Sequence, residues 1–327
     1  MDKNKEYINK ENMKEKKELK GTSLHVLCGM VLCAVVSFLA GCTGDGDGTM
    51  PEKDGRVALQ VNSGIDVQTR AKDKTWDAGD AIGIYMLNGE TAEAANQKYT
   101  TAATGESGTF TAVDGQTIYF PVDGSQRDFT AYYPYNTSLT GNLFAVDVNN
   151  QTVQKNIDLM GAGKVTGKTK NDPAVAFEFQ HKLVKLYLTM KPDNTSLFAD
   201  DMKGLEIDIT NQKTRATYDV VAGGSVVVDA DDNTPATVSL LTDANGTSSE
   251  GIVLPNATTE TMQFVFRLKN GSVFTWNIHK AEKSKLFKAG NKYVYTITIG
   301  STGIEVTSTV KDWTPGNGDG GESGDAE

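Results

Sequence analysis

The chain has 327 residues with 32 basic and 42 acidic side chains, which gives a formal net charge of −10 at pH 7. This acidic balance, without a basic patch or a Lys/Arg stripe between aromatic residues, argues against nucleic acid as a partner. The sequence has 3 histidines, and no HExxH, GxSxG, Walker or GxGxxG pattern accompanies them. We therefore predict a protein that is not an enzyme and that uses no cofactor.

The first predicted element is a secretion signal. Residues 24–40, LHVLCGMVLCAVVSFLA, follow a lysine cluster at residues 14–20, which is the layout of a signal peptide. A helix over this run would span roughly 26 Å, less than the ~30 Å hydrocarbon core, which favours a cleaved signal over an uncleaved anchor. We predict a lipoprotein signal peptide over residues 1–41, with Met13 as an alternative start because the basic stretch begins there.

The apolar run ends in Leu-Ala-Gly-Cys at residues 39–42, which resembles the lipobox of bacterial lipoproteins. Cys42 is therefore the predicted lipidation site. Cys28 and Cys33 fall inside the signal, so the mature chain keeps no thiol for a disulfide or a Cys-containing zinc site. Two or three acyl chains, at about 0.8 kcal/mol per buried CH₂, would hold the protein on the outer membrane. Residues 42–56 are predicted to be a flexible acidic tether.

Apolar residues alternate with period two through most of the remaining chain, which is the signal of β-strands. Short helices are predicted only around residues 90–97 and 196–202. The length suffices for two domains, so we predict an all-β protein of two tandem antiparallel β-sandwiches, over residues 57–170 and 171–315. A Gly- and Lys-rich linker is predicted at residues 161–173, and a disordered acidic tail at residues 316–327.

An amphipathic strand that could detach from the rest of the fold is predicted at each end of the folded region. The first, in RVALQVNSGIDVQTR (residues 56–70), places five apolar side chains on one face. They are Val57, Leu59, Val61, Ile65 and Val67. The last strand alternates Ile304, Val306 and Val310 with polar residues.

One change of face stands out inside the chain. The apolar residues at 175–179 have the opposite parity to those at 184–190, so the inward face changes near His181. A β-bulge or a strand that passes between two packing partners would explain the change. His181 is predicted to cap or space this strand rather than to act as a base.

Two further groups of residues could bind ligands, and both favour a structural interpretation. Asp229, Asp231 and Asn233 imitate the start of a calcium loop, but the glycine at the sixth position and the glutamate at the twelfth are missing. A solvated turn is the favoured interpretation there.

Aromatic residues could also form a sugar platform. Tyr132, Tyr133 and Tyr135 lie along one predicted strand, and tyrosines on the strands of a sandwich are commonly half-buried packing residues. Trp76 and Trp313 lie beside strand signals and are predicted to be core residues.

Five segments in a fixed order resemble the fimbrillin, or Mfa-like, family, which comprises lipoprotein pilins of type V fimbriae in gram-negative anaerobes. They are TRAKDKTWDAGDAIGIYM (69–86), AYYPY (131–135), FEFQHKLVKLYL (177–188), FKAGNKYVYTITI (287–299) and IEVTSTVKDW (304–313). The resemblance covers about residues 43–315.

The resemblance implies two transthyretin-like sandwiches, export as a palmitoylated lipoprotein and a surface location in a fimbria. It also implies that a trypsin-like protease cuts between Arg70 and Ala71, removes the first strand and allows polymerisation with identical or different fimbrial subunits. The strand Ile304 to Val310 is the candidate donor. The chain departs from stalk members after Trp313, where it has only Thr-Pro-Gly and an acidic tail. An anchoring or accessory role, and a surface glycan-binding lipoprotein, remain alternatives.

Overall fold

The computed structural model describes residues 55–65, 75–229, 235–313 and 324–325. The predicted signal peptide, the Cys42 lipidation site, the tether and the Arg70–Ala71 junction lie outside these residues. So do Val67 and most of the calcium-like loop. In the described ranges, no helix has the length and hydrophobicity that crossing a membrane requires.

Strands account for nearly all of the regular structure. The first nine are β1 (Gln60–Ile65), β2 (Ala81–Asn88), β3 (Thr91–Thr101), β4 (Ser107–Ala112), β5 (Arg127–Tyr133), β6 (Leu143–Asp147), β7 (Met160–Ala162), β8 (Val165–Lys168) and β9 (Ala174–His181). The others are β10 (Val184–Pro192), β11 (Glu206–Gln212), β12 (Arg215–Asp219), β13 (Val227–Val228), β14 (Ala236–Ser239), β15 (Leu241–Thr242), β16 (Ser248–Val253), β17 (Gln263–Arg267), β18 (Val273–Asn277), β19 (Asn291–Ile299), β20 (Ile304–Asp312) and β21 (Gly324–Asp325).

The helices of the described ranges are short 3₁₀ turns. They are Gln154–Asn156, Ala199–Met202, Ile278–Lys280 and Glu282–Ser284. The helix predicted around residues 196–202 is therefore a single turn. The one predicted around residues 90–97 is wrong, because those residues lie in β3, which pairs with both β2 and β4. Tertiary pairing overrides a weak local preference at such a site.

The N-terminal half of the chain forms an eight-stranded sheet. Its order is β2-β3-β4-β1-β9-β7-β5-β8, and β2 also pairs with β5. Seven strands therefore form a closed, barrel-like ring, with β8 attached to β5. We predicted a two-sheet sandwich for this half. Period-two alternation marks one buried face, but it does not reveal whether the sheet closes on itself.

Two sheets form most of the C-terminal half, in the orders β15-β16-β10-β19-β20-β21 and β14-β11-β17-β18. Their inward side chains meet in one set of buried apolar residues, here called the C-terminal cluster. Its members run from Val184 to Val306 in sequence and include Leu186, Ile207, Phe264 and Tyr295.

The prediction of purely antiparallel sheets is wrong at two strand pairs. β1 runs parallel to β9, and β10 runs parallel to β19. Each of these first strands also has an antiparallel neighbour, β4 for β1 and β16 for β10. Long stretches of chain separate the two members of each parallel pair, and only a long crossover permits parallel pairing.

The two halves meet around residues 181–184. β9 lies in the eight-stranded sheet and β10 in the six-stranded sheet. The inward face changes because the chain passes from one sheet to the other between these two strands, and not because of a β-bulge. We predicted that residues 171–181 begin the C-terminal domain, but β9 pairs with β1 and β7. The predicted linker at residues 161–173 contains β8 and part of β7, both paired with β5.

A three-stranded sheet, β13-β12-β6, joins strands from both halves. It covers a set of buried apolar residues that we call the central cluster, which includes Tyr132, Phe144, Leu183, Tyr218 and Trp313.

Candidate assembly site

Strand β1 is an interior strand of the closed ring. It pairs antiparallel with β4 and parallel with β9, so that Val61 lies opposite Phe110 on one side and Val175 on the other. Its backbone groups are thus engaged along both edges. Removing β1 would open the ring between β4 and β9.

Backbone hydrogen bonds extend this attachment toward the N-terminus. The amide of Leu59 donates to the carbonyl of Ile118 (2.9 Å), and the amide of Phe120 donates to the carbonyl of Val57 (2.9 Å). Residues 57–65 are therefore held as one extended segment, although the regular strand begins only at Gln60.

The predicted buried face of this segment is confirmed at Leu59, Val61 and Ile65, which are all buried, while Val57 is only half-buried. Ser63 completes the face, and its buried hydroxyl has no hydrogen-bond partner within the described ranges. Leu59, Val61 and Ile65 belong to a set of buried apolar residues that we call the N-terminal cluster. Its members run from Leu59 to Phe179 in sequence and include Trp76, Phe110 and Phe177.

Trp76 fills the space beneath the strands that flank β1. Its indole is 1% exposed, and it meets the rings of Phe110, Tyr133 and Phe179 edge-on at centroid distances of 5.1, 5.4 and 5.3 Å. Two backbone hydrogen bonds with Gly105 (2.8 and 3.0 Å) hold it in place. The prediction of Trp76 as a core residue is confirmed. The chain that follows the predicted cut is thus anchored by contacts outside β1.

A buried carboxylate supports the turn after Trp76. Asp80 accepts hydrogen bonds from the amide of Asp77 (2.7 Å) and the hydroxyl of Tyr133 (3.2 Å), and it forms an ion pair with Lys155 (2.7 Å). Burial and the charge of Asp80 raise the pKa of Tyr133, so its hydroxyl remains a donor. For Lys155, burial lowers the pKa, but its hydrogen bonds to Asp80 and Asp77 outweigh this and raise it.

The candidate donor strand, β20, is paired within its own chain. β20 pairs with β19 along nine residue pairs. Val306 is buried, and Ile304 and Val310 are half-buried against the C-terminal cluster. Trp313 follows the strand, and its amide donates to the carbonyl of Gly290.

Trp313 is a buried residue of the central cluster, as predicted, and its indole ring stacks on the imidazole ring of His181. The Nδ1 atom of His181 lies 2.7 Å from Oδ1 of Asp158. Neither Nε2 of His181 nor Nε1 of Trp313 has a hydrogen-bond partner in the described part of the chain. Sequence reasoning placed Trp313 in the core but missed this pair, because residues so distant in sequence leave no local signal.

The tyrosines proposed as a sugar platform do not form one. Tyr132 and Tyr133 are buried. Tyr135 is half-buried, with the ammonium of Lys98 5.3 Å from its ring centroid. Within the described ranges, no group of three or more His, Cys, Asp or Glu side chains is placed to hold a metal ion.

Comparison with known proteins decides the family. Residues 69–313 match the family model described as fimbrillin-like. This chain belongs to the fimbrillin-like family. It is 55% identical over 303 residues to a Bacteroides uniformis protein provisionally named fimbrium subunit Fim1C, and the match covers 91% of this chain and 98% of that protein.

Solved structures support the same fold. A Bacteroides uniformis structure, provisionally described as a cell adhesion protein, is 55% identical with a TM-score of 0.75, and covers 81% of this fimbrillin-like chain and 100% of its own. A second such protein, from Bacteroides ovatus, is 21% identical with a TM-score of 0.61 and covers 78% and 96%. At that identity, the second match shows the fold alone.

Proposed function

We propose that this chain is a subunit of a cell-surface fimbria, and that it assembles when proteolysis releases β1 and a strand of another subunit replaces it. The observation that carries the proposal is the position of β1. It is an amphipathic strand in the interior of a closed ring, and in sequence it is followed by the Arg70–Ala71 junction. Membership of the fimbrillin-like family supports it.

The physical argument concerns what β1 would leave behind. Its loss would expose unpaired N–H and C=O groups of β4 and β9 above the apolar N-terminal cluster, and another strand satisfies both needs. The burial of Leu59, Val61 and Ile65, at about 1.5 to 3 kcal/mol per side chain, sets an upper scale of roughly 5 to 9 kcal/mol for the exchange, which partial exposure reduces.

In this proposal the cut is hydrolysis of the Arg70–Ala71 peptide bond by a trypsin-like protease. The new N-terminus would be Ala71, and Trp76 and its bonds to Gly105 would keep the following chain in place. The protein itself has no enzymatic role, no cofactor and no nucleic-acid partner in this scheme.

The membrane attachment is also a proposal. The signal peptide over residues 1–41 would be removed, and Cys42 would carry the lipid that anchors the protein in the outer membrane. Labelling of cells with an alkyne fatty acid should mark the wild-type protein and not Cys42→Ala. Equal labelling of both would contradict this anchor.

The donor role of Ile304, Val306 and Val310 requires β20 to leave β19. It would also withdraw Trp313 from the central cluster, which costs buried apolar area. This cost supports an anchoring or accessory position over a stalk position. A glycan-binding function is not favoured at the tyrosine cluster, because Tyr132 and Tyr133 are buried.

We further propose two transthyretin-like β-sandwich domains in this chain. The repeated arrangement of β1 and β10, each with one antiparallel and one parallel neighbour, supports an internal structural repeat. The division between the domains falls at residues 182–183 in this proposal, since β9 pairs with β1.

The test treats the purified precursor with a trypsin-like protease and measures oligomers by native mass spectrometry. Wild type should assemble after cleavage, and Arg70→Ala should not. Arg56→Ala is the matched control, because Arg56 precedes β1, and it should assemble like wild type. A synthetic peptide of residues 57–69, added in excess, should block assembly.

Assembly of Arg70→Ala at the wild-type rate would contradict the processing step. Deletion of residues 304–313 tests the donor separately. If assembly of identical subunits is unchanged by that deletion, β20 is not the donor.

A further inference from the structure

A cavity of about 310 Å³, open to solvent on one side, lies between the eight-stranded sheet and the loop that follows β12. One wall consists of the outward face of β9 and the residue after it, with Glu178, Gln180 and Lys182. The opposite wall is the loop at residues 221–224, which contains an alanine and two glycines. The volume is at the lower end of the roughly 300–1,000 Å³ typical of small-molecule sites.

The loop wall is held in place by hydrogen bonds. The carboxylate of Asp219 accepts from the amides of Val221 and Ala222, both at 2.9 Å. The hydroxyl of Thr130, on β5, donates to the carbonyl of Val220 at 3.2 Å and ties the loop to the sheet. These hydrogen bonds fix the loop wall relative to the eight-stranded sheet.

Lys182 differs from Arg127 and Lys185, the two basic side chains that are buried in the described ranges. Arg127 pairs with Glu93 at 2.6 Å, and Lys185 pairs with Glu250 at 2.7 Å. For Lys182, no carboxylate of residues 55–65, 75–229 or 235–313 lies within 4.0 Å, and its ammonium stands 5.8 Å from the ring centroid of Tyr218. Burial also lowers the pKa of Lys182. Lys182 is only half-buried, so water can reach it, but an opposite charge in the cavity would offset its partial desolvation.

The charges along the cavity restrict what that opposite charge can be. Lys164 adds a second cation at the Glu178 end of the lining, because β7 runs antiparallel to β9 with Ala162 opposite Phe179. Two lysines and one glutamate give the lining a net charge of +1, which a single carboxylate balances. Glu178 lies four residues before Lys182, about 13 Å away along an extended strand. A hydroxyl can donate to Glu178, whereas a second carboxylate would be repelled. Gln180, between the two, can both donate and accept.

We propose that this cavity is a binding site for a sugar with a single carboxylate, of the uronic-acid class. The carboxylate lies against Lys182, and the ring hydroxyls reach Gln180 and Glu178. The site shares β9 with the β1 groove but lies on the outward face of that strand. Sugar binding by the uncleaved chain does not depend on the proposed assembly function, so each proposal can fail alone.

The test is a saturation-transfer NMR titration of the full chain, purified in detergent, with glucuronate, glucose, acetate and the dicarboxylate glucarate. Glucuronate should bind at least about tenfold more tightly than glucose or acetate, because a hydrogen-bonded charge pair and the hydroxyl contacts both contribute. Glucarate should bind more weakly than glucuronate to wild type, and this difference should shrink in Glu178→Gln.

Lys182→Met keeps the methylene groups and removes the charge, so it should weaken glucuronate binding at least about tenfold. Lys191→Met is the matched control, since Lys191 is an exposed lysine outside the cavity, and it should bind like wild type. Unfolding temperatures of both variants report whether the fold is intact. Equal binding of glucose and glucuronate, acetate binding as tight as glucuronate, or unchanged binding by a folded Lys182→Met would overturn the proposal.

Discussion

The indole ring of Trp313 lies flat on the imidazole ring of His181, with centroids 4.0 Å apart and planes 7° from parallel. His181 ends β9 in the eight-stranded sheet, and Trp313 follows β20 in the six-stranded sheet. This stack therefore connects the end of the chain to the point where the two halves meet. Both side chains are buried, so the connection is part of the core and not a surface contact.

Replacement of Trp313 should test this connection. Trp313→Ala removes a buried indole and leaves a cavity beside His181, so we expect a loss of about 3 to 5 kcal/mol in the free energy of unfolding. Urea denaturation followed by far-UV circular dichroism measures it. Trp313→Phe keeps an aromatic face and should lose clearly less. A change below about 1 kcal/mol in Trp313→Ala would show that the stack contributes little to stability.

Gly161 is a position where the central cluster leaves no room for a methyl group. A Cβ atom added there would lie 2.0 Å from the hydroxyl oxygen of Tyr218 and 2.8 Å from Cε of Lys182. Tyr218 is fully buried and cannot swing away freely, so Gly161→Ala should destabilise the fold by about 1 to 3 kcal/mol. Gly163→Ala is the control, because its Cβ would meet nothing within 4 Å. Thermal unfolding should separate the two variants, and equal midpoints would refute this clash.

The two faces of β1 should respond differently to truncation. Val61→Ala removes buried methyl groups between Phe110 and Val175, and we expect a loss of roughly 1 to 3 kcal/mol. Asn62→Ala, on the exposed face, should change stability by no more than about 0.5 kcal/mol. Urea denaturation of the uncleaved chain is the measurement. Similar losses in both variants would mean that the buried face does not dominate the attachment of β1.

The ion pair between Glu93 and Arg127 should make stability depend on pH. Hydrogen bonds from Arg127 hold the pKa of Glu93 below its ordinary value of 4.5. A carboxyl whose pKa is lowered by folding contributes stability above its ordinary pKa, and this contribution is lost as the pH falls through the lower folded-state pKa. Wild type should therefore exceed Glu93→Gln in stability at about pH 7, and the gap should narrow toward about pH 3.

The measurement is a pair of urea titrations for each variant at the two pH values. Glu90→Gln, an exposed carboxylate in the adjacent turn, should match wild type at both. A gap for Glu93→Gln that stays constant with pH would mean that its charge is not what stabilises the fold.

Much of the strand content could be predicted because alternation is a local property. The buried positions Leu59, Val61 and Ile65 follow from the spacing of apolar residues along one extended segment. The turn before β2 and the burial of Trp76 follow from short-range patterns in the same way. The helix expected near residues 90–97 failed because β3 gains hydrogen bonds from two neighbours, which local preference does not register.

The same distinction between local and long-range information applies to the fold and to the candidate sites. Amino-acid sequence alone determined the all-β class and the buried face of β1, because both depend on residues close together in the chain. It also indicated the fimbrillin-like family, because the order of motifs along the chain can be recognised without the fold. Only the tertiary structure decided that β1 is interior, that seven strands close into a ring and that His181 stacks on Trp313. It also decided that Lys182 faces a cavity without a carboxylate partner in the described ranges. Strand direction, ring closure and charge pairing depend on contacts between distant residues, and period-two alternation is the same whichever neighbour a strand finds.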